Sequence, residues 1–188
     1  MPNTNIILAS GSPRRKQLLQ QAEVAFTVVV LPTPETYPKH FSAINIAKYI
    51  AKKKALAVQA VQPNNIIIAA DTIVVLGTEI ICKPSNEKQA IVILKKLSGT
   101  THKVITGVYI TNGTLTKHFS STTKVTFNTL SIAQIKHYVT TYKPYDKAGA
   151  YAIQEWIGAV GIKAIQGDYY NVMGLPIHKV VAALQLFN

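Results

Sequence analysis

The chain has 188 residues, 48% of them apolar, with 20 lysines and arginines against 8 acids for a formal charge of +12, and a single cysteine. Such a chain can bury roughly 70% of its unfolded surface, which excludes a disordered class, and one cysteine excludes an intramolecular disulfide. No run approaches the roughly 18 apolar residues of a membrane span and the first residues do not read as a leader, so a cytoplasmic protein without membrane contact is expected. The basic balance favours polyanionic partners, from nucleic acid to small phosphorylated molecules.

In chain order, Ile6–Ala9 reads as a short buried strand, and Ser12 followed by Pro13 as the cap and first turn of a helix over Pro13–Ala22. Phe26–Leu31 reads as a strand leading into the proline-punctuated loop "PTPETYP". A long helix is predicted over Ala43–Val61, its buried stripe formed by Ala43, Ala47, Ile50, Ala51, Val58 and Val61. The run "IIIAADTIVVL" is too β-branched and continuous for an amphipathic helix, so it predicts a central strand. Gly77-Thr78 turns that strand into a partner, Ile80–Cys82. Ser85 is read as capping a helix that ends at Gly99. The alternation on both sides of Asn112-Gly113 predicts a hairpin, and Ser131 with Gln134 a capping box for a helix to about Tyr142. The remainder reads as short strands and glycine turns until Pro176 opens a last helix. Strands and helices intermix throughout, so an α/β domain with a mixed sheet is expected over 1–188.

Charge placement points to chemistry. Arg14, Arg15 and Lys16 occupy the first turn of a helix, where the backbone already carries about half a positive charge and free N–H groups. An anion held by those groups, by Ser10 and Ser12 and by the arginines would remove the conflict; side chains bent into solvent would also avoid it. Projection at 100° per residue places Lys54 in the middle of the buried stripe of the Ala43–Val61 helix, where either a phosphate site or a snorkelling stem would account for it. Lys83, fixed before Pro84, could supply another cation. Asp71 interrupts an apolar strand, and a buried carboxylate must be paired, metal-bound or functional. Glu35 lies in the proline-rich loop, where a solvated acid is the simpler reading. One acid among cations suggests attack of water on a phosphate, assisted by a divalent ion. No Walker A sequence, dinucleotide glycine fingerprint or HExxH pair occurs, and the five histidines are too scattered for zinc. Cys82 reads as a small buried hydrophobe.

Six ordered blocks carry a resemblance: "LASGSPRRKQLL", "AADTIVVLG", "KP" at Lys83-Pro84, "LSGTTHKVITGV", "YDKAGAYAIQ" and "GDYYNVMGLPI". Together they resemble the Maf family of nucleoside triphosphate pyrophosphatases over nearly the whole chain. The resemblance implies an elongated, two-lobed α/β fold of the ITPase-like kind, with a mixed twisted sheet, helices packed on it and a central cleft. It also implies a homodimer, a divalent cation such as Mg2+ or Mn2+, and cleavage of a nucleoside triphosphate into monophosphate and pyrophosphate. Carried over by position, Asp71 resembles the proton acceptor, and Ser10, Arg15, Lys54 and Lys83 match phosphate-binding positions. Glu35 resembles the acid that joins Asp71 in metal binding. Arg14, Thr72 and Gln154 match the branch that acts on dTTP and UTP. Two residues depart from the family pattern: Ala152, where a glycine is common, and Glu155, a negative charge beside Gln154. Two other classes compete with the enzyme, a nucleic-acid-binding module using the +12 charge and a nucleotide-binding regulator of cell division without turnover. No specific nucleic-acid partner is expected.

Overall fold

The longest helix carries alanine at three of its six buried positions, and this lets it lie close on the sheet. In the computed structural model, which describes residues 5–187, the first half of the chain runs β1 (Ile6–Leu8), α1 (Pro13–Gln21), β2 (Thr27–Val28), α2 (Ala43–Val61), β3 (Ile66–Leu76), β4 (Glu79–Ile81) and α3 (Glu87–Leu97). The second half runs β5 (Thr101–Thr111), β6 (Thr116–Phe127), α4 (Ile132–Tyr142), α5 (Trp156–Gly161), β7 (Ile162–Gln166), α6 (Tyr169–Met173) and α7 (Ile177–Leu184). The strands pair in the order β2-β1-β3-β5-β6-β7, with β4 folded back antiparallel on β3. β1 is parallel to both β2 and β3, and β7 is antiparallel to β6, so the sheet is mixed and the class is α/β as expected.

The chain divides into two compact units. One holds the residues up to Thr72, Thr106–Ser121 and the segment from Gly174 onward; the other holds Ile73–Ile105 and Thr122–Met173. In the first unit, Ala51, Ala55 and Val58 of α2 bury against Ile7 and Ala9 of the β1 region, Ile67 and Ala69 of β3, and Tyr109 of β5. Gly107 completes this packing. A Cβ there would lie 2.4 Å from the Lys48 nitrogen and 2.5 Å from the Ala47 carbonyl carbon, so only glycine lets β5 touch the backbone of α2.

In the second unit α3 packs on α4. Here α4 starts with the expected capping box, the Ser131 hydroxyl accepting from Gln134 N and the Gln134 amide oxygen from Ser131 N. A buried ring cluster fills the unit: His102 stacks on Phe127 at 5.6 Å, and Tyr151 meets both edge-on. His102 Nε2 lies 2.7 Å from the Tyr151 hydroxyl, while its Nδ1 is buried without a hydrogen-bond partner. Burial lowers the His102 pKa from 6.5 to about 4.

Several boundaries differ from the sequence reading, each for a physical reason. β2 covers two residues because its neighbour β1 offers only a three-residue edge. Asn86, and not Ser85, caps α3: its side chain accepts from Gln89 N at 3.0 Å, while Ser85 N donates back to the Gln89 side chain. Val61 ends α2 exposed at 57%, outside the buried stripe. Cys82 is exposed as well, just beyond the end of β4, and is no core residue. Pro176 occupies the cap position, not the first turn, of α7. α5 and α6 stand where strands and turns were expected; at six and five residues they are too short for a helical period to show.

Candidate active site

Three elements of the first unit converge on one ammonium. Lys54 of α2 lies 2.8 Å from Asp71 Oδ1 on β3 and 2.6 Å from Glu35 Oε1 in the loop before α2. The position of Lys54 follows from the alanine face of α2, since the residues one turn either side are buried on the sheet and carry its stem with them. Asp71 and Thr72 are the half-buried interruption in an otherwise buried stretch of β3. The loop bearing Glu35 is held by the next lysine: Lys53 Nζ donates to the Pro34 carbonyl at 2.6 Å and the Thr36 carbonyl at 3.3 Å, above the Tyr49 ring.

A second cluster adjoins the first along the chain. Arg15 is buried, and its guanidinium donates from Nε to the Gly174 carbonyl at 2.8 Å, from Nη1 to the Ser10 hydroxyl at 3.0 Å, and from Nη2 to the Thr72 hydroxyl at 3.0 Å. Thr72 is linked onward to Thr106 at 2.9 Å. Burial lowers the Arg15 pKa, with Asp71 opposing the shift, Arg14 adding to it and Glu35 opposing it; an arginine stays cationic throughout. Successive strand side chains face opposite ways, so the dipeptide Asp71-Thr72 serves Lys54 with one residue and Arg15 with the other. Gly174 suits this position because its φ is +111°, a backbone conformation that residues with a Cβ rarely adopt.

The opening helix therefore solves its charge conflict partly from within. Ser12 caps α1 by position but makes no side-chain cap, and its N–H is drawn to the Ser10 hydroxyl at 3.3 Å. Arg15 donates to three neutral oxygens, one of them the same Ser10 hydroxyl at the helix start, while Arg14 is half-buried on the same turn. Three of the five guanidinium hydrogens of Arg15 are thus committed to protein.

Of the residues singled out by sequence, Ser10, Arg15 and Thr72 are joined by hydrogen bonds, and Glu35, Lys54 and Asp71 by ion pairs. Lys83 and Gln154 belong to the second unit, where both are exposed. Sequence reasoning missed Lys53, Thr106 and Gly174; of these only the glycine, within "GLP", carried a visible signal. The two departures near Gln154 also find their places. Ala152 has no positive φ; the left-handed positions are Gly149 at 74° and Ala150 at 57°. Glu155 accepts a short hydrogen bond from the Tyr138 hydroxyl and lies 3.5 Å from Lys147 Nζ, so its charge is held inside the second unit.

Asp71 and Glu35 offer hard carboxylate oxygens, and the point between Asp71 Oδ1 and Glu35 Oε1 is held by the Lys54 ammonium. Mg2+ typically takes one or two carboxylates from protein and fills its shell with water and substrate phosphates, so the donor type suits such an ion, which would have to bind beside Lys54 and not in its place. Among the described residues no group of three or more His, Cys, Asp or Glu could form a complete protein cage.

The family described as "Maf-like protein" matches residues 5–187. A Cytophaga hutchinsonii protein named dTTP/UTP pyrophosphatase is 50% identical over 187 residues, covering 99% of this chain and 86% of that one. Proteins of the same name from Phocaeicola vulgatus and Bacteroides thetaiotaomicron are 49% and 44% identical, each over 96% of this chain and 94% of its own. A solved structure, the Ham1 protein of Staphylococcus aureus, is similar at a TM-score of 0.45 and 16% identity, over 66% of this chain and 72% of that one.

Proposed function

Since the chain belongs to the Maf-like family, we propose that it hydrolyses dTTP and UTP to the nucleoside monophosphate and pyrophosphate. The observation that carries the mechanism is the Lys54 ammonium shared by Asp71 and Glu35. Lys54 binds Asp71 Oδ1 and so orients the carboxylate, and the other oxygen, Oδ2, takes a proton from the attacking water. The water oxygen bonds to the α-phosphorus as the bond to the α,β-bridging oxygen breaks, and pyrophosphate departs with the bonding pair. Ser10, Arg15 and Lys83 bind phosphoryl oxygens as negative charge moves onto the leaving group. Arg14, Thr72 and Gln154 select the base, with the Gln154 amide presenting both a donor and an acceptor to a pyrimidine edge. Asp71 and Glu35 would hold a magnesium or manganese ion, whose chemistry is charge neutralisation at the triphosphate.

The same reading carries a homodimer and a cytoplasmic enzyme. Among the described residues no helix is long and apolar enough to cross a membrane. Pyrophosphate release from a panel of dTTP, UTP, CTP, ATP and GTP, with and without Mg2+, tests the function: dTTP and UTP lead the panel, and chelation stops turnover. Tight UTP binding without release would instead favour a nucleotide-binding regulator. Salt-sensitive retention of long DNA or RNA with no turnover would favour a nucleic-acid module. Sedimentation at micromolar concentration tests the dimer.

A further inference from the structure

Gln154 sits at the exposed tip of a four-residue turn. Glu155 N donates to the Ala152 carbonyl at 3.1 Å, leaving Ile153 and Gln154 as the central pair. Both ends of this turn are held by one atom. The buried Tyr138 hydroxyl, from α4, accepts from Ala152 N at 3.1 Å and donates to Glu155 Oε2. Lys147, itself buried, faces the other Glu155 oxygen at 3.5 Å and Asp146 at 2.8 Å. The middle of the turn is fixed from a third side. A Cβ on Gly158 would fall 1.7 Å from the Ile153 carbonyl oxygen, so α5 seats directly on the turn. The segment enters through Ala150, a non-glycine residue at φ 57°, a conformation that persists only where its surroundings impose it.

An exposed glutamine on an ordinary loop would need no such support. Its side-chain amide can serve opposite hydrogen-bond patterns by turning over, so discrimination between bases depends on how firmly the backbone beneath it is placed. We propose that Tyr138 and Glu155 are positioning residues for base selection, fixing the turn that presents Gln154. This rests on the reading of Gln154 as a base-selecting residue. Glu155, a departure from the family pattern, thereby acts as the counterpart of Tyr138 and not as a second charge offered to the base.

The test uses the full-length protein and compares Tyr138→Phe, Glu155→Ala, Glu155→Gln and Gln154→Leu, measuring kcat and KM for UTP and CTP together with melting temperature. Gln154→Leu, Tyr138→Phe and Glu155→Ala lower the UTP-over-CTP ratio of kcat/KM by about tenfold, chiefly through KM for UTP, with kcat for UTP within about threefold of wild type. Glu155→Gln keeps an oxygen for the Tyr138 hydroxyl and restores the ratio. A folded Tyr138→Phe protein with the wild-type ratio overturns the proposal; if that variant does not fold, an unchanged ratio in Glu155→Ala does so. An altered ratio in Gln154→Leu beside unchanged ratios in the other variants removes this inference alone. An unchanged ratio in Gln154→Leu removes the base-selecting role of Gln154 and the inference with it.

Discussion

Each compact unit grips a lysine between two carboxylates, and the two arrangements serve opposite ends. Lys54 gathers its acids from a strand and a loop, and the set stays partly open: the Glu35 side chain is 50% exposed and that of Lys54 is 19% exposed. Lys147 takes one partner from the adjacent residue, Asp146, and the other from the same connecting segment, Glu155. There the Tyr138 hydroxyl closes the group from the protein side. Each lysine has one exposed partner, Glu35 at 50% and Asp146 at 60%, so the difference lies in the second partner: Asp71 stands on a strand, whereas Glu155 is tied to the Tyr138 hydroxyl. On the proposed function, then, one charge pattern serves chemistry in the first unit and holds a turn in the second, and the surrounding partners make the difference.

Four substitutions or conditions break or sharpen that contrast. The largest effect belongs to Asp71→Asn, which lowers turnover by about 10³-fold, or about 4 kcal/mol of barrier, while leaving the circular dichroism spectrum unchanged. Wild-type pyrophosphate release by this variant would take Asp71 out of the mechanism. Next is Arg15→Met, which removes the Arg15 donor from the Gly174 carbonyl and one of two partners each from the Ser10 and Thr72 hydroxyls, and costs about 3 kcal/mol in urea unfolding, because these are hydrogen bonds to a buried charge. A loss under about 1 kcal/mol would show that water replaces the guanidinium. Lys54→Met then reduces turnover about 30-fold, or about 2 kcal/mol, yet shifts stability by less than 1 kcal/mol, as expected of a half-open pair. Normal specific activity in a protein that melts early would make Lys54 a structural residue.

The smallest effect per step concerns His102. Its folded pKa, about 4, lies below the ordinary 6.5, so between those values the unfolded chain binds a proton that the folded protein excludes. Stability contributed by the neutral ring is complete above pH 6.5 and is lost as pH falls toward 4, at about 1.4 kcal/mol per pH unit. Thermal melts across that window show the slope, and His102→Gln flattens it; equal slopes in both proteins would assign the acid sensitivity elsewhere.

Much of the first unit was legible because its signals are local and strong. The limits of α2 and β3 follow directly from an apolar stripe and a β-branched run, and Asp71 is conspicuous as a charge inside one. The inward position of Lys54 was legible from the helical wheel, which left a phosphate site and a snorkelling stem both open. What the sequence concealed depends on distant partners. Arg15 reads as a first-turn cation that either faces an anion or bends into solvent, and nothing nearby in the chain announces the Gly174 carbonyl to which it donates. The roles of Tyr138 and Glu155 are hidden in the same way, since a buried tyrosine on a helix stripe has no visible reason to carry its hydroxyl to a turn. Cys82 was misplaced because its apolar neighbours suggested burial, although it lies just past the end of β4, where the strand gives way to the exposed Lys83.

Trp156, the protein's one tryptophan, opens α5 directly after Glu155, with its ring 4.9 Å from that of His137. The molecule thus contains its own optical probe, adjoining the turn that carries Gln154. Any shift of that turn on nucleotide arrival changes indole emission, so stopped-flow fluorescence can time the event without an attached dye.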